Sequence, residues 1–302
     1  MPWLLFAFSG PVLWAISTHI DKYLVDRYFK ETGIAVLLVF TALIGLVPLP
    51  FIAFFQPGVA ALPLPSVAVI LGSGCLYMTG MFFYLSALQQ EEASAVAPFY
   101  QAAPLFGYAL GYLLLGETLT VVQMAGGALI VCGALLLSWQ REERRRRFKA
   151  RLAGLMLACA FSLALSSVIF KIFAVRDEFW ITSFWTYAGE ALFGAGVLAM
   201  ARHRREFLAL LRSNAVRVLT INGANEIINL GGGLGSRYAL LLAPLSLVQA
   251  IGSTTSLFVF IFGIALSAFG SGLAMEDLSG GSLLRKAVST VLIVSGVVLI
   301  NR

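Results

Sequence analysis

The sequence contains two similar stretches: Trp14–Phe29 reads WAISTHIDKYLVDRYF, and Ser162–Phe179 reads SLALSSVIFKIFAVRDEF. When the two stretches are aligned, Lys22 matches Lys171. A second pair follows the same order, because EASAVAPFYQAAPLFGYALGYLLLGE in the first half resembles LAPLSLVQAIGSTTSLFVFIFGIAL in the second. The chain is therefore predicted to consist of two related halves.

The composition indicates what surrounds these halves. Of the 302 residues, 59% are hydrophobic and 12% are charged, and the mean hydropathy is +0.89. A soluble domain carries about a quarter charged residues, so this chain has too few charges to cover a surface that faces water. The sequence predicts an all-α integral membrane protein whose surface is largely covered by lipid.

The apolar runs are continuous and long enough to cross a hydrocarbon core of about 30 Å as helices, whereas β-barrel strands would be about ten residues long and alternating. We predict ten transmembrane helices, at 3–21, 34–55, 66–88, 94–115, 120–139, 152–173, 180–201, 215–237, 243–267 and 284–301.

The charged segment QREERRRRFKAR, residues 140–151, divides the chain near its middle. We take 1–139 as the first five-helix repeat, 140–151 as a basic linker and 152–302 as the second repeat. Because each half has an odd number of spans, the second half is inserted upside down relative to the first. Inverted repeats of this kind are an architecture of secondary transporters, with the site near the midplane.

The sequence resembles the drug/metabolite transporter superfamily, in its ten-helix EamA-type branch. The resemblance rests on YLSAL at Tyr84–Leu88, the segment Ala97–Thr120, and GGALIVCGALLL at Gly126–Leu137, with partial copies in the second half. It implies a secondary carrier of small metabolites or drugs, often an exporter. It also implies a central cavity formed by helices one, three, four, six, eight and nine, with helix seven more peripheral. One departure is that Gly116-Glu117, which closes helix four, has no clear copy after helix nine.

The basic residues predict the orientation. Most of the 21 lysines and arginines lie in the loops after spans one, five, seven and nine. By the positive-inside rule these loops are cytoplasmic, so both termini are expected outside the cytoplasm. A bacterial-type plasma (inner) membrane is the expected location. The net charge of +6 is a topology signal of this kind, and no nucleic-acid partner is predicted.

Span eight carries the strongest functional signal, in the segment TINGANEIINLGGGLGS. At 100° per residue, Asn222, Asn225, Glu226 and Asn229 fall on one helix face. This face must be turned towards the protein or a wet cavity, because hydrocarbon satisfies neither amides nor a carboxyl group. The alternatives are an interhelical hydrogen-bond clamp and a substrate site. Glu226 favours the site, because ionisable residues inside a membrane are usually functional.

Other polar and aromatic side chains complete the candidate site, although aromatic residues are also ordinary packing residues in membrane helices. The predicted substrate-binding residues are Trp14, Ser17, Tyr77, Tyr100, Gln101, Asn222, Asn225, Glu226, Asn229, Gln249 and Ser253. The candidates for coupling or gating are Glu226, Glu190, Lys22 and Lys171. Two of these have alternative interpretations: Glu190 as a packing or oligomer-contact residue, and the lysine pair as snorkelling anchors at helix ends.

These features predict a secondary transporter that moves a small polar or amphipathic metabolite, amine-bearing and amino-acid-like, or a drug, by alternating access. The alternative is a flippase of a lipid-linked or amphiphilic substrate with the same fold. No Walker loop, metal-ligand cluster or nucleophile elbow is present, so neither an enzyme nor a cofactor or metal is expected. The expected partners are the substrate, the lipid bilayer and protons, with the protein a monomer or weak homodimer.

Overall fold

The computed structural model describes residues 2–28, 34–90, 102–138, 150–268 and 280–300. This part of the chain contains α-helices, one short 3₁₀ turn at Pro57–Ala60 and no β-strand. The helices are α1 (Pro2–Tyr28), α2 (Ile34–Gly45), α3 (Pro48–Phe55), α4 (Leu64–Gln90), α5 (Ala103–Leu115), α6 (Val121–Ser138), α7 (Ala150–Arg176), α8 (Phe179–Ala199), α9 (Ala201–Leu242), α10 (Leu245–Gly252), α11 (Thr255–Ala268) and α12 (Gly280–Ile300).

The helical, multi-pass character predicted from the sequence is confirmed. Within the described residues, five stretches are long and apolar enough to cross a membrane, and three shorter apolar helices accompany them. The five are Pro2–Asp21, Ile34–Phe55, Leu64–Ala87, Ala153–Arg176 and Leu245–Gly263. The full set of ten spans remains a prediction.

Two of the predicted spans are broken helices. The segment 34–55 divides into α2 and α3 at Leu46-Val47, just before Pro48, which has no N–H to continue the hydrogen-bond ladder. The segment 243–267 divides into α10 and α11 at Ser253-Thr254. Broken helices expose backbone groups, and inside a membrane they occur where the protein or a cavity can satisfy those groups.

Helix α9 is much longer than its predicted span 215–237. It runs for 42 residues from Ala201 and ends only at Ala243, where the backbone is extended just before Pro244. At 1.5 Å per residue its length is about 63 Å, roughly twice the hydrocarbon thickness. A helix of this length extends beyond a hydrocarbon core that it crosses, and we expect its charged first turns to be the part that lies outside.

The helix packing brings distant parts of the chain together. Helix α1 packs along α9, and α7 packs along α4. Helix α6 packs against α12, and α8 lies against both α2 and α4. The resulting contact of α2, α4, α8 and α9 surrounds the polar region described next.

Candidate functional site

A cavity lies where α2, α4, α8 and α9 meet. The space between its lining atoms amounts to about 380 Å³, including the part that opens to solvent. The lining residues are Thr41, Ile44, Gly45, Tyr77, Tyr187, Glu190, Glu226, Asn229, Leu230, Gly233 and Arg237. The cavity therefore contains two carboxyl groups, one guanidinium and two tyrosines.

One wall of the cavity is a buried ion pair surrounded by aromatic rings. Nη2 of Arg237 on α9 donates to Oε1 of Glu190 on α8 at 2.5 Å. The guanidinium carbon lies 4.7 Å from the ring centroid of Tyr187, with Phe170 and Tyr77 at 5.6 and 5.7 Å. These distances are within the range of cation–π attraction.

This ion pair leaves donor groups unused. Nη1 of Arg237 and the hydroxyl of Tyr187 are buried and have no hydrogen-bond partner in the described part of the protein. A buried donor without a partner costs free energy, so such groups are expected where a ligand or water completes the site.

Glu226 is the second acid in the cavity lining. It is only 5% exposed, and Thr41 on α2 donates a hydrogen bond to its Oε1 at 2.7 Å. No lysine, arginine or histidine of the described residues forms an ion pair with Glu226. Because Arg237 already pairs with Glu190, Glu226 is the lining carboxyl group that is left to receive a positive charge from a ligand or a proton.

The end of α2, where the helix is interrupted, adds polar backbone groups to the cavity lining. The amide of Val47 bonds to Ile44, and the amide of Leu49 bonds to Leu46 instead of to Gly45. The carbonyl of Gly45 at the cavity wall therefore lacks its usual helical donor. The carbonyl end of a helix attracts positive charge, as Glu226 does.

The asparagine stripe of α9 divides between two environments. Asn229 lines the cavity. Asn225 is fully buried and donates to Oδ1 of Asp21 on α1 at 2.6 Å, so this residue clamps two helices together. Asn222 is 1% exposed, and neither of its side-chain atoms has a partner among the described residues. The clamp and site interpretations of the stripe thus apply to different residues.

Residues predicted on helix one lie in the contact between α1 and α9, outside the cavity lining. Ser17 is buried and donates to Oδ2 of Asp21 at 3.3 Å. Trp14 packs on α9: a Cβ built on Gly232 would lie 3.0 Å from its Nε1. Glycine at this position permits the close approach of the two helices. Asp21, the last residue of the first apolar span, is bonded to Asn225 of α9.

Residues predicted on helix nine also lie away from the cavity. Gln249 on α10 packs against Gly107 of α5, and its Oε1 is buried without a partner in the described chain. Ser253 is buried at the break between α10 and α11. Neither residue is among the residues that line the cavity. Tyr100 and Gln101 lie outside the described residues, as does the side chain of Lys22.

The contacts of Lys171 do not agree with its interpretation as a snorkelling anchor at a helix end. Its Nζ lies 2.5 Å from Oε1 of Glu117 and 2.6 Å from the carbonyl oxygen of Ala243, and the amide of Leu245 donates to the other oxygen of Glu117 at 2.8 Å. Gly116 turns the chain here with a φ of +64°, a conformation that glycine adopts without strain. A helix-end lysine pairs inward because an acidic partner lies within reach.

Glu190 was predicted as a coupling or gating residue, with a packing or oligomer contact as the alternative. The structure places it in the lining of the cavity, which α2 and α8 help to form, and its role stays a prediction. Glu190 is 4% exposed and holds Arg237.

The sequence-based prediction missed Arg237, Thr41 and Tyr187 as cavity residues. Arg237 was taken as the end of span eight, but it follows Glu226 by eleven residues, which is about three turns and places both on one helix face. The apolar YALLL after Arg237, followed by Pro244, was the available signal that the helix continues. Thr41 lies in an apolar helix, and nothing in its local sequence indicates a contact with Glu226.

Residues 1–139 match the EamA-like transporter family. A crystal structure of another protein superposes with a TM-score of 0.68 over 99% of this chain and 96% of that one, at 18% identity, which shows a shared fold. The matched segment is the first predicted repeat, and the predicted resemblance to the drug/metabolite transporter superfamily is confirmed.

A curated protein is similar to part of this chain. The chain is 41% identical over 73 residues to an uncharacterized protein of Methanocaldococcus jannaschii. The match covers 24% of this chain and 47% of that protein, so the chain spans about half the length of the curated relative it matches.

Proposed function

We propose that this protein is a secondary carrier that moves a small, polar, amine-bearing metabolite through the cavity by alternating access, in the direction of export. The observation that carries the proposal is Glu226, a buried cavity carboxyl group with no cationic partner in the described chain. A buried carboxylate is unfavourable unless it is paired or protonated. A substrate ammonium group supplies the missing charge.

The other lining groups suit such a substrate. Asn229 offers an amide that both donates and accepts, and the aromatic face of Tyr77 attracts cations.

We further propose the two inverted five-helix repeats, 1–139 and 152–302, as the moving units. The packing supports this proposal because it is reciprocal between the halves. Helix α1 packs on α9. In the same way α7, which corresponds to α1 in the other half, packs on α4, which corresponds to α9. Helices α6 and α12, which correspond to each other, pack together. Exchange between two such packings would open the cavity to one side at a time.

The basic first turns of α9 support the proposed orientation. Arg202 and Arg205 lie in the part of α9 that projects from the membrane, and a basic projection is expected in the cytoplasm. We accordingly propose cytoplasmic loops after spans one, five, seven and nine in an inner membrane, with both termini on the other side.

The test uses the purified carrier in liposomes loaded with a panel of amino acids, polyamines and other amines. We expect the wild-type protein to exchange at least one labelled amine from the panel for its unlabelled form. Glu226→Gln should abolish this exchange, because an amide does not supply the negative charge that an ammonium group requires. Glu206→Gln, on the projecting turns of α9, is the matched control and should exchange normally.

Full exchange by Glu226→Gln would refute the role of the cavity acid. Absence of exchange of every amine, together with movement of a labelled lipid across the liposome bilayer, would refute the carrier function itself and support the flippase alternative.

A further inference from the structure

We infer that Asp21 is a second protonation site within the membrane and that it, rather than Glu226, receives the coupling proton. The carboxyl group of Asp21 contacts Asn225 of α9 at 2.6 Å and Ser17 of its own helix at 3.3 Å. The inference goes beyond the proposed function, since it concerns a site that does not line the cavity.

The first observation is the charge balance of the buried acids. Glu190 pairs with Arg237, and Glu117 pairs with Lys171. In the described part of the chain, Asp21 has no cation that forms an ion pair with it. Asp21 is half-buried in the contact between α1 and α9, where a carboxylate without a counter-ion is unfavourable, so a proton or a cation from outside would stabilise it.

The second, independent observation is an unused acceptor. Asn225 is 0% exposed, and its Oδ1 has no hydrogen-bond donor among the described residues. The amide nitrogen of the same side chain already bonds to Asp21. A carboxylic acid and an amide form a two-bond pair, in which the acid O–H donates to the amide oxygen and the amide N–H donates to the acid oxygen.

Protonation of Asp21 would therefore supply the donor that Asn225 lacks. A proton taken from water on one side of the membrane forms the O–H bond of the Asp21 carboxyl group, and no other bond is made or broken. The neutral acid then holds α1 against α9 through two hydrogen bonds instead of one. Release of the proton leaves a charged carboxylate and an unpaired amide oxygen in the same contact, which weakens it.

The surroundings of Asp21 are compatible with this role. On the helices that pack near Asp21, the titratable groups that interact with it electrostatically are Tyr84 on α4 and Glu226 on α9. On its own helix, His19 bonds to the carbonyl of Val259 on α11 at 3.1 Å, on another side of α1. None of these groups neutralises a carboxylate at Asp21 by an ion pair.

The position of Asn225 connects this contact to the cavity. Asn225 directly precedes Glu226 on α9. Asn225 bonds to Asp21, and Glu226 accepts a hydrogen bond from Thr41 in the cavity. A change in how tightly α1 holds α9 acts on the helix that carries the cavity acid. Two separate carboxyl groups also let the proton and the substrate amine bind without competing for one site.

Infrared spectroscopy of the reconstituted full chain tests the protonation directly, because the C=O stretch of a protonated carboxyl group is distinct from that of a carboxylate. In a pH titration, we expect wild-type protein to show two buried carboxyl bands besides those of surface acids. Asp21→Asn should remove one of them and Glu226→Gln the other, while Glu206→Gln removes neither. A titration identical to wild type in Asp21→Asn would overturn the inference. So would a band that responds to sodium instead of to pH.

Transport separates this inference from the proposed function. With an amine that wild-type protein exchanges, Asp21→Asn should retain exchange but lose the stimulation by a pH gradient. The variant should fold, because two amides form the same two-bond pair that we infer for the protonated acid. Retained stimulation by the pH gradient in Asp21→Asn would contradict the inference and leave the carrier function intact.

Discussion

In the described part of the protein, two carboxylate–cation pairs that join distant segments differ in how completely their hydrogen-bonding groups are satisfied. Glu117 and Lys171 also bond to the backbone, through the amide of Leu245 and the carbonyl of Ala243. Glu190 and Arg237 border a cavity, and Nη1 of Arg237 has no partner in the described chain. The first pair joins α7, the turn after α5 and the start of α10. The second pair leaves a donor group that a ligand or water in the cavity can use.

The difference shows how to distinguish a structural ion pair, which we call a brace, from an ion pair in a binding site. Both place charges away from water, which is energetically unfavourable in a membrane protein. In a brace, each donor and acceptor is used, and removal of one partner leaves the other in a dry environment. In a site, a remaining donor or charge borders a space that water or a ligand can enter. The expected effects of substitution follow from this distinction.

The largest expected effect is at the brace. Lys171→Met removes the cation and leaves Glu117 buried, which should lower the free energy of unfolding by about 3–5 kcal/mol. Denaturation of the purified protein in detergent measures this loss. Replacing both partners, with Lys171→Met and Glu117→Gln together, should recover most of it. Equal losses in the single and double variants would show that the pair is not a buried brace.

Arg237→Met sharpens the comparison. It removes the cation from the second pair, but cavity water can hydrate Glu190, so the loss of stability should be smaller than for Lys171→Met. The same denaturation experiment compares the two variants. A loss as large as at the brace would indicate that the cavity is dry and that this pair is also structural.

The smallest effect is expected outside the membrane, on the projecting turns of α9. The hydrogen bond from Arg202 lowers the pKa of Glu206 below its ordinary value of 4.5, with a smaller contribution from His203. A lowered pKa stabilises the folded state above that ordinary value, and the contribution disappears as the pH falls through the lowered one. Because the pair is at the surface, Glu206→Gln should cost less than about 0.5 kcal/mol at neutral pH and nothing in strong acid. A cost that persists in acid would exclude the ion pair as its cause.

The sequence was sufficient for the helical membrane class and the family, because both rest on long apolar runs and on segments in a fixed order. It also identified Glu226, since a carboxyl group within an apolar span is conspicuous. The sequence did not predict contacts in which the partner residue comes from a distant segment of the chain. Nothing around Lys171 indicates that Glu117 lies beside it, and nothing around Asn225 indicates Asp21. Arg237 was missed because a basic residue near the end of a span resembles an anchor.

The most direct test of the substrate cavity compares two asparagines one helical turn apart on α9. Asn229 lines the cavity, whereas Asn225 holds Asp21. Melting temperature and affinity for an exchanged amine are measured on Asn229→Ala and Asn225→Ala. We predict that Asn229→Ala weakens binding by about 1–3 kcal/mol with little change in melting temperature, and that Asn225→Ala chiefly lowers the melting temperature. Normal binding by Asn229→Ala with a large loss of stability would contradict the claim and place the substrate site elsewhere.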